Sequence, residues 1–365
     1  MSNEQVQQWL AEARAGDADA FGRLAEHHRP ELVLHAYRML GRLDDAEDAV
    51  QDAILRAWQS IDDFRGDASV RTWLHRLTTN VCLDRRRTSE RRRRLLERTA
   101  VDQHVVVPIV GTVPWVQAVP DALLDAVDTI NDSHEDRLTS RETVEIGFIA
   151  ALQHLPDRQR AVFLLRDTVG WSAKETAAEL EMSVSAANAA LHRARTTMRD
   201  ALGEREEWSR PATTAMEDKV VSRWITAIET GDDEAIAGLV SADVVVSHQP
   251  LAGQDTAQIG WYAGRTVVIE AWAPALHASP SLEMKLLPVR VNRQPGLASY
   301  IRIPDKPGHH AFGLEILRIV PSGPEAGRVA EVINLRSDQF EQLGLPLTLP
   351  ENPTPEEKTH QERKI

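Results

Sequence analysis

The stretch DDAEDAVQDAILRAWQSIDDFRGDASVRTWLHRLTTNVCLDRRR, Asp44 to Arg87, decides how the N-terminal half of this chain folds. Its first half has helical periodicity. Ala46, Ala49, Val50, Ala53, Ile54, Ala57 and Trp58 recur at three- and four-residue spacing and make one apolar face. The other face carries Asp45, Asp48, Gln51, Asp52 and Gln59, with Leu55 standing apolar inside an acidic stripe. The bland alternative is a solvated face; an acidic stripe with one apolar residue also suits a basic partner surface. FRGDAS is a loop by its Gly, Asp and Ser. Thr72 to Arg87 then reads as a helix with Trp73, Leu74, Leu77, Val81 and Leu83 near its inner side. It ends in Arg85, Arg86 and Arg87, with Arg91 to Arg94 just beyond.

An acidic helix for a protein partner, joined by a short loop to a basic, Trp-bearing helix for a phosphate polymer, resembles region 2 of the bacterial sigma-70 family. The likeness is to its extracytoplasmic-function branch. It implies that Asp45, Asp48, Gln51, Asp52 and Leu55 dock on the β′ clamp helices of core RNA polymerase. It implies that Phe64, Arg65, Trp73 and the helix to Arg87 melt and read the −10 promoter element. Asn80 is the candidate base reader, and Arg76, Arg85 and Arg86 are candidate backbone contacts. Melting then rests on a flipped base held in a protein pocket, against an unstacking cost of a few kcal/mol.

At 365 residues the chain calls for two or three domains. A net charge of −13 argues at first against DNA binding, but Arg85–Arg87 and Arg91–Arg94 face only one acid, Glu90, and local patches decide backbone binding. The single cysteine, Cys82, excludes an internal disulfide and CxxC metal sites; it fits a buried thiol in a reducing cytoplasm. The polar start MSNEQVQQWLAEARAGD is no signal peptide, and no apolar run approaches a membrane span, so a cytoplasmic protein is expected.

In chain order, residues 1–95 form the first domain. Its opening helices end at Gly16 and Gly41, with Pro30 breaking or restarting the second. Residues 96–140 are a Pro-bearing, acidic linker in which Pro114-Trp115 and Pro120-Asp121 are candidate anchors. Residues 141–203 are helical again. Val144, Phe148, Ala151, Leu152 and Leu155 make a core stripe, and Ser172 with Glu175 is a capping box. Ala173–Leu180, a turn at Glu181-Met182-Ser183 and a second helix with Val184, Ala187, Leu191, Ala194 and Met198 inward read as helix-turn-helix.

This segment resembles region 4 of the same family, the reader of the −35 element, which also meets the polymerase β flap. Ser185, Asn188 and His192 are candidate base contacts; Arg193, Arg195 and Arg199 suit phosphates. Two departures stand out. Glu181-Met182 replaces the Gly often found in the turn, and SAANAALHRAR lacks a cationic residue near Asn188. The resemblance also implies that the linker threads past the polymerase active-site cleft.

Residues 211–345 read as helices followed by antiparallel strands, an α+β pattern. Pro288 marks an edge or bulge. The segment resembles the SnoaL-like curved-sheet cone, a domain that some extracytoplasmic-function sigma factors carry. Candidate pocket residues are Trp224, His248, Trp261, Trp272, Tyr300 and Phe312; aromatic core filling is the competing reading of each. His309-His310 is read as a hairpin tip, and 346–365 as a disordered tail. No metal site, cofactor or catalytic group is expected. The sequence thus supports a multi-domain sigma factor with two all-α sigma domains and a C-terminal cone acting in cis, its partners core RNA polymerase and promoter DNA. A DNA-tethered cyclase or isomerase using His248 or Asp255 is the alternative; the acidic Asp45–Gln59 helix is what such an enzyme would not need.

Overall fold

Asp17 opens the longest early helix by accepting from the backbone N–H groups of Asp19 and Ala20, and Gly41 closes it in the left-handed conformation, φ 79°, donating to the Tyr37 carbonyl. That local chemistry recurs through the computed structural model, which describes residues 3–64, 66, 68–97, 116–128, 143–202, 214–248, 261–276 and 283–351. The chain divides into two compact units. The first joins Met1–Gln103 to Ala122–Arg205, and the second joins His104–Asp121 to Glu206–Ile365.

In the first unit, α1 (Asn3–Arg14) and α2 (Ala18–Leu40) pack with α3 (Leu43–Gln59) and α4 (Val70–Glu97). The apolar face read from sequence is the buried one: Ala46, Ala49, Val50, Ala53 and Ala57 are all within 1% of fully buried. Pro30 does not break α2, which runs through it. Ser69 caps α4, accepting from the Thr72 N–H, and α4 continues beyond Arg87 through the second arginine run. After α5 (Asp121–Asp128) come α6 (Ile146–Gln153), α7 (Asp157–Phe163) with a π turn to Thr168, α8 (Ala173–Glu179) and α9 (Val184–Leu202). The Ser172–Glu175 capping box is present. Glu181 adopts φ 49° in the turn, where a Gly would sit without strain.

In the second unit, α10 (Thr214–Thr230), α11 (Asp233–Leu239) and α12 (Arg265–Leu276) accompany β1 (Val240–His248), β2 (Trp261–Ala263), β3 (Met284–Val291), β4 (Gln294–Arg302), β5 (His309–Ile319), β6 (Val329–Arg336) and β7 (Thr348–Leu349). The strand order is β2-β1-β6-β5-β4-β3, with β7 also on β5. One pairing departs from the expected meander: β1 and β6 run parallel. Pro288 lies in edge strand β3, where its missing N–H costs no ladder bond on the open side. His309 and His310 are not a tip; they open β5 opposite Arg302 and Ile301, and pair with β7. The β7 pairing also shows that the start of the expected tail is strand. Gly308 precedes them at φ 78°, where a Cβ would lie 2.4 Å from the Leu349 carbonyl oxygen. The core between helices and sheet includes Val220, Trp224, Ile236, Val246, Leu297, Leu317 and Val332. No helix among the described residues is long and apolar enough to cross a membrane. Nor, among those residues, do three or more His, Cys, Asp or Glu converge as a metal site.

Candidate nucleic-acid and partner interfaces

α3 presents Asp45, Asp48 and Gln51 to solvent beside Leu55, which is 53% exposed. The acids are not isolated. Arg85 of α4 reaches Asp52 at 2.6 Å and Asp48 at 3.6 Å, and Arg42 reaches Asp45 at 3.4 Å. The residue expected to grip DNA thus holds the residues expected to grip the polymerase.

The α4 readers are also occupied. Asn80 donates to Glu179 Oε1 at 2.9 Å and Arg76 to Glu179 Oε2 at 2.7 Å, while Arg86 pairs with Asp157. Glu179 ends α8, the first helix of the helix-turn-helix, and its side chain is only 5% exposed. Burial pushes its carboxyl up, against the opposing pull of Arg76 and Asn80. Acidic groups of the second helical region stand where DNA phosphates and a base edge were expected. Phe64 is buried, its ring centroid 5.0 Å from that of half-buried Trp73. Arg65 and the side chains of Arg91–Arg94 lie outside the described residues.

Behind α4 sits a buried polar cluster that sequence reading missed. Glu31 of α2 accepts from Arg71 Nε at 2.6 Å and meets His28 Nδ1 at 2.7 Å and His75 Nε2 at 3.8 Å. Burial alone would raise this carboxyl; the two imidazoles and the Arg71 guanidinium outweigh it and hold the group well below the usual carboxylate range. His35 bonds Thr79 at 2.9 Å and stacks edgewise on His75. Burial holds His35 and His75 below the ordinary imidazole value, neutral at pH 7. The cluster fixes α4 against α2. Cys82 is fully buried in the same helix, its thiol pushed up to about 12, so it is inert packing.

Arg160 was missed as well. It is fully buried in α7 and donates to the carbonyls of Met39, Leu152, Gln153 and Leu155. One guanidinium therefore ties the end of α2 to the second helical region. On α9, Ser185, Asn188, His192, Arg193, Arg195 and Arg199 all face solvent. Arg195 is held in a two-point pair by Asp167, at 2.6 and 2.9 Å, which aims it. Val184, expected inward, is 44% exposed at the start of the helix.

The linker has a definite seat in the second unit. Asn292 and Arg293 form the β3–β4 turn with φ of 54° and 60°. Val119 N–H donates to Asn292 Oδ1 at 2.8 Å, and Asn292 N–H donates back to the Val119 carbonyl at 3.1 Å. Arg293 N–H donates to Asp121 Oδ1, Ala118 N–H to Gln339 Oε1, and Pro120 bridges Val291. Val116, Gln117, Ala118 and Val119 are buried. Pro120-Asp121 is part of this seat; Pro114-Trp115 lies outside the described residues.

The pocket residues separate. Trp224 and Trp272 meet on the helix-covered face, centroids 5.8 Å apart. Tyr300 lies on the opposite face, buried against Phe340, because it alternates with Ser299 along β4. Phe312 is 41% exposed; the register skips it at a bulge, turning it out. The side chains of His248 and Trp261, and all of Asp255, lie outside the described residues.

Two family profiles match this chain: sigma-70 region 2 over residues 24–92 and sigma-70 region 4 over residues 147–198. It is 35% identical over 347 residues to the ECF RNA polymerase sigma factor SigG of Mycobacterium tuberculosis, spanning 93% of this chain and 86% of that one. This chain is an extracytoplasmic-function sigma factor. The sigma factor is also 28% identical over 200 residues to SigW of Bacillus subtilis, covering 54% of the chain and 96% of SigW. It shares its fold with the crystal structure of M. tuberculosis SigJ, at TM-score 0.55 and 24% identity over 88% of this chain and 98% of SigJ. As a sigma factor it binds core RNA polymerase and promoter DNA and directs transcription initiation, and it carries a further C-terminal α+β unit.

Proposed function

We propose that this cytoplasmic sigma factor docks on polymerase through Asp45, Asp48, Gln51, Asp52 and Leu55. α4 then opens and reads the −10 element, and the open face of α9 reads the −35 element. The observation that carries the docking surface is Leu55, exposed among acids on a helix otherwise well packed. Asp48→Arg with Asp52→Arg places four cations on that ridge, counting Arg56 and Arg85. Core polymerase should no longer co-purify with the double variant, whose retained helicity is checked by circular dichroism. Undiminished co-purification sinks the assignment.

The C-terminal unit controls this activity in cis through the linker. A linker bonded to Asn292 and Gln339 is not free to thread the polymerase cleft. Those bonds are each worth about 1 kcal/mol net, so Asn292→Ala with Gln339→Ala should raise apparent polymerase affinity by about tenfold. Unchanged affinity removes the linker from the control.

A further inference from the structure

Glu315 stands in the middle of β5, between Leu297 of β4 and Asn334 of β6 in the cross-strand register. Leu297 belongs to the core beneath the helices, so Glu315 projects toward the same face. A carboxylate is the wrong group for a core of Leu297, Leu317, Val332 and two tryptophans unless something meets its charge. What meets it is one neutral donor: Trp224 Nε1, at 3.1 Å from Oε2. Trp224 is fully buried, and Trp272 closes edge-on upon it. Among the described residues no Arg, Lys or His pairs with Glu315. The buried carboxylates Glu31, Glu217 and Glu331 are differently placed. Glu31 has Arg71, Glu217 has Arg290 and Glu331 has Arg318.

Glu315 is also only half-buried, so solvent reaches it through the apolar surroundings. An acid that is reachable, has no cation among the described residues and lies beside the Trp224–Trp272 pair is suited to a cation brought from outside. Aromatic faces attract cations, and a low-polarity setting strengthens the pairing with the carboxylate. The aliphatic walls require the rest of the ligand to be apolar.

We propose that the helix-covered face of the C-terminal unit binds a small apolar molecule carrying a basic nitrogen, with Glu315, held by the buried Trp224 N–H, as the counter-ion and the partly buried Trp272 as the aromatic wall. This assigns a ligand class to the unit and does not depend on how the unit controls polymerase binding. Burial raises the Glu315 carboxyl to about 7, against the Trp224 hydrogen bond, so its ionised form is available to a cation at and above neutral pH.

The test uses the full chain, with phenethylamine as probe and 2-phenylethanol as its uncharged counterpart, followed by tryptophan fluorescence and calorimetry. Phenethylamine should bind saturably, with affinity rising about tenfold per pH unit below the Glu315 titration and levelling above it. The alcohol should bind about tenfold or more weakly, without that pH dependence. Glu315→Gln keeps the shape and an acceptor for Trp224, and should bring the amine down to the affinity of the alcohol. The wild-type pH profile tests the proposal even where the variant does not fold. No saturable amine binding, equal affinity for amine and alcohol, or a flat pH profile overturns it.

Discussion

Glu31 and Glu315 are the same residue in two helix-packed interiors, and their surroundings drive them in opposite directions. In the first unit Glu31 has Arg71, His28 and His75 around it and stays ionised far below the normal range. In the second, Glu315 has among the described residues an indole N–H alone, and burial raises it to about 7. The lesson concerns what a buried charge is for. A carboxylate with its hydrogen bonds filled fixes helices in place; one left short of a cation is poised to change protonation or to take a partner.

The hardest test of that contrast is Glu31→Leu. It leaves His28 and His75 buried around a hole in their network and strips Arg71 of its partner. The expected loss is about 3–5 kcal/mol of unfolding free energy, read from urea denaturation of the full chain by a probe in α2–α4. A loss below about 1 kcal/mol would mean the cluster is decorative, and the two glutamates would differ in name only.

The next largest effect is in pH dependence, where the two units should oppose each other. His35 and His75 are held below 6.5 in the folded state, so the unfolded chain takes up protons first as pH falls. The first unit therefore loses stability on acidification through 6.5, and Glu31 adds the same sign below 4.5. Glu315 is raised from 4.5 to about 7, so its stabilising contribution is complete below 4.5 and is lost as pH rises through about 7. Glu315→Gln should gain about 1–3 kcal/mol on wild type between pH 4 and pH 8, discounted for partial solvent access. Thermal unfolding of both proteins across that range checks it; parallel curves would show that Glu315 titrates like an ordinary surface acid.

The same contrast explains what was legible in the sequence. Elements and faces were, because periodicity records which side of a helix is packed: Ala46, Ala49, Val50, Ala53 and Ala57 are buried and Asp45, Asp48 and Leu55 are not. The Ser172–Glu175 cap was legible because the two residues act within three positions of each other. Partners distant in sequence were not. Nothing near Asn80 announces Glu179, 99 residues away, and nothing near Val119 announces Asn292, 173 residues away. The burial of Phe64 against Trp73 was not legible either, since an aromatic in a short loop fits a reading or a packing role until its neighbour is placed. The parallel β1–β6 pairing escaped because strand order is a non-local property. Glu315 was hidden as one acid in a largely apolar strand, although a charge within the run GLEIL was the available signal.

Glu179 lies between the two extremes and gives the smallest and most informative effect. It is buried like Glu31 and has a cation, Arg76, but that cation is 61% exposed and screens poorly, so burial still wins and the carboxyl is raised. Its contact with Arg76 and Asn80 joins α4 to α8. Glu179→Gln keeps the shape and the acceptor for Asn80 while removing the charge that holds Arg76. That change is worth about 1 kcal/mol, so a labelled single-stranded oligonucleotide should bind the free sigma factor about fivefold more tightly. Fluorescence anisotropy at low salt measures this, and Arg76→Ala in the same background should erase the gain. Equal binding by wild type and Glu179→Gln would show that the closed contact does not screen the readers, and α4 would then have to be opened by the polymerase at some other hinge.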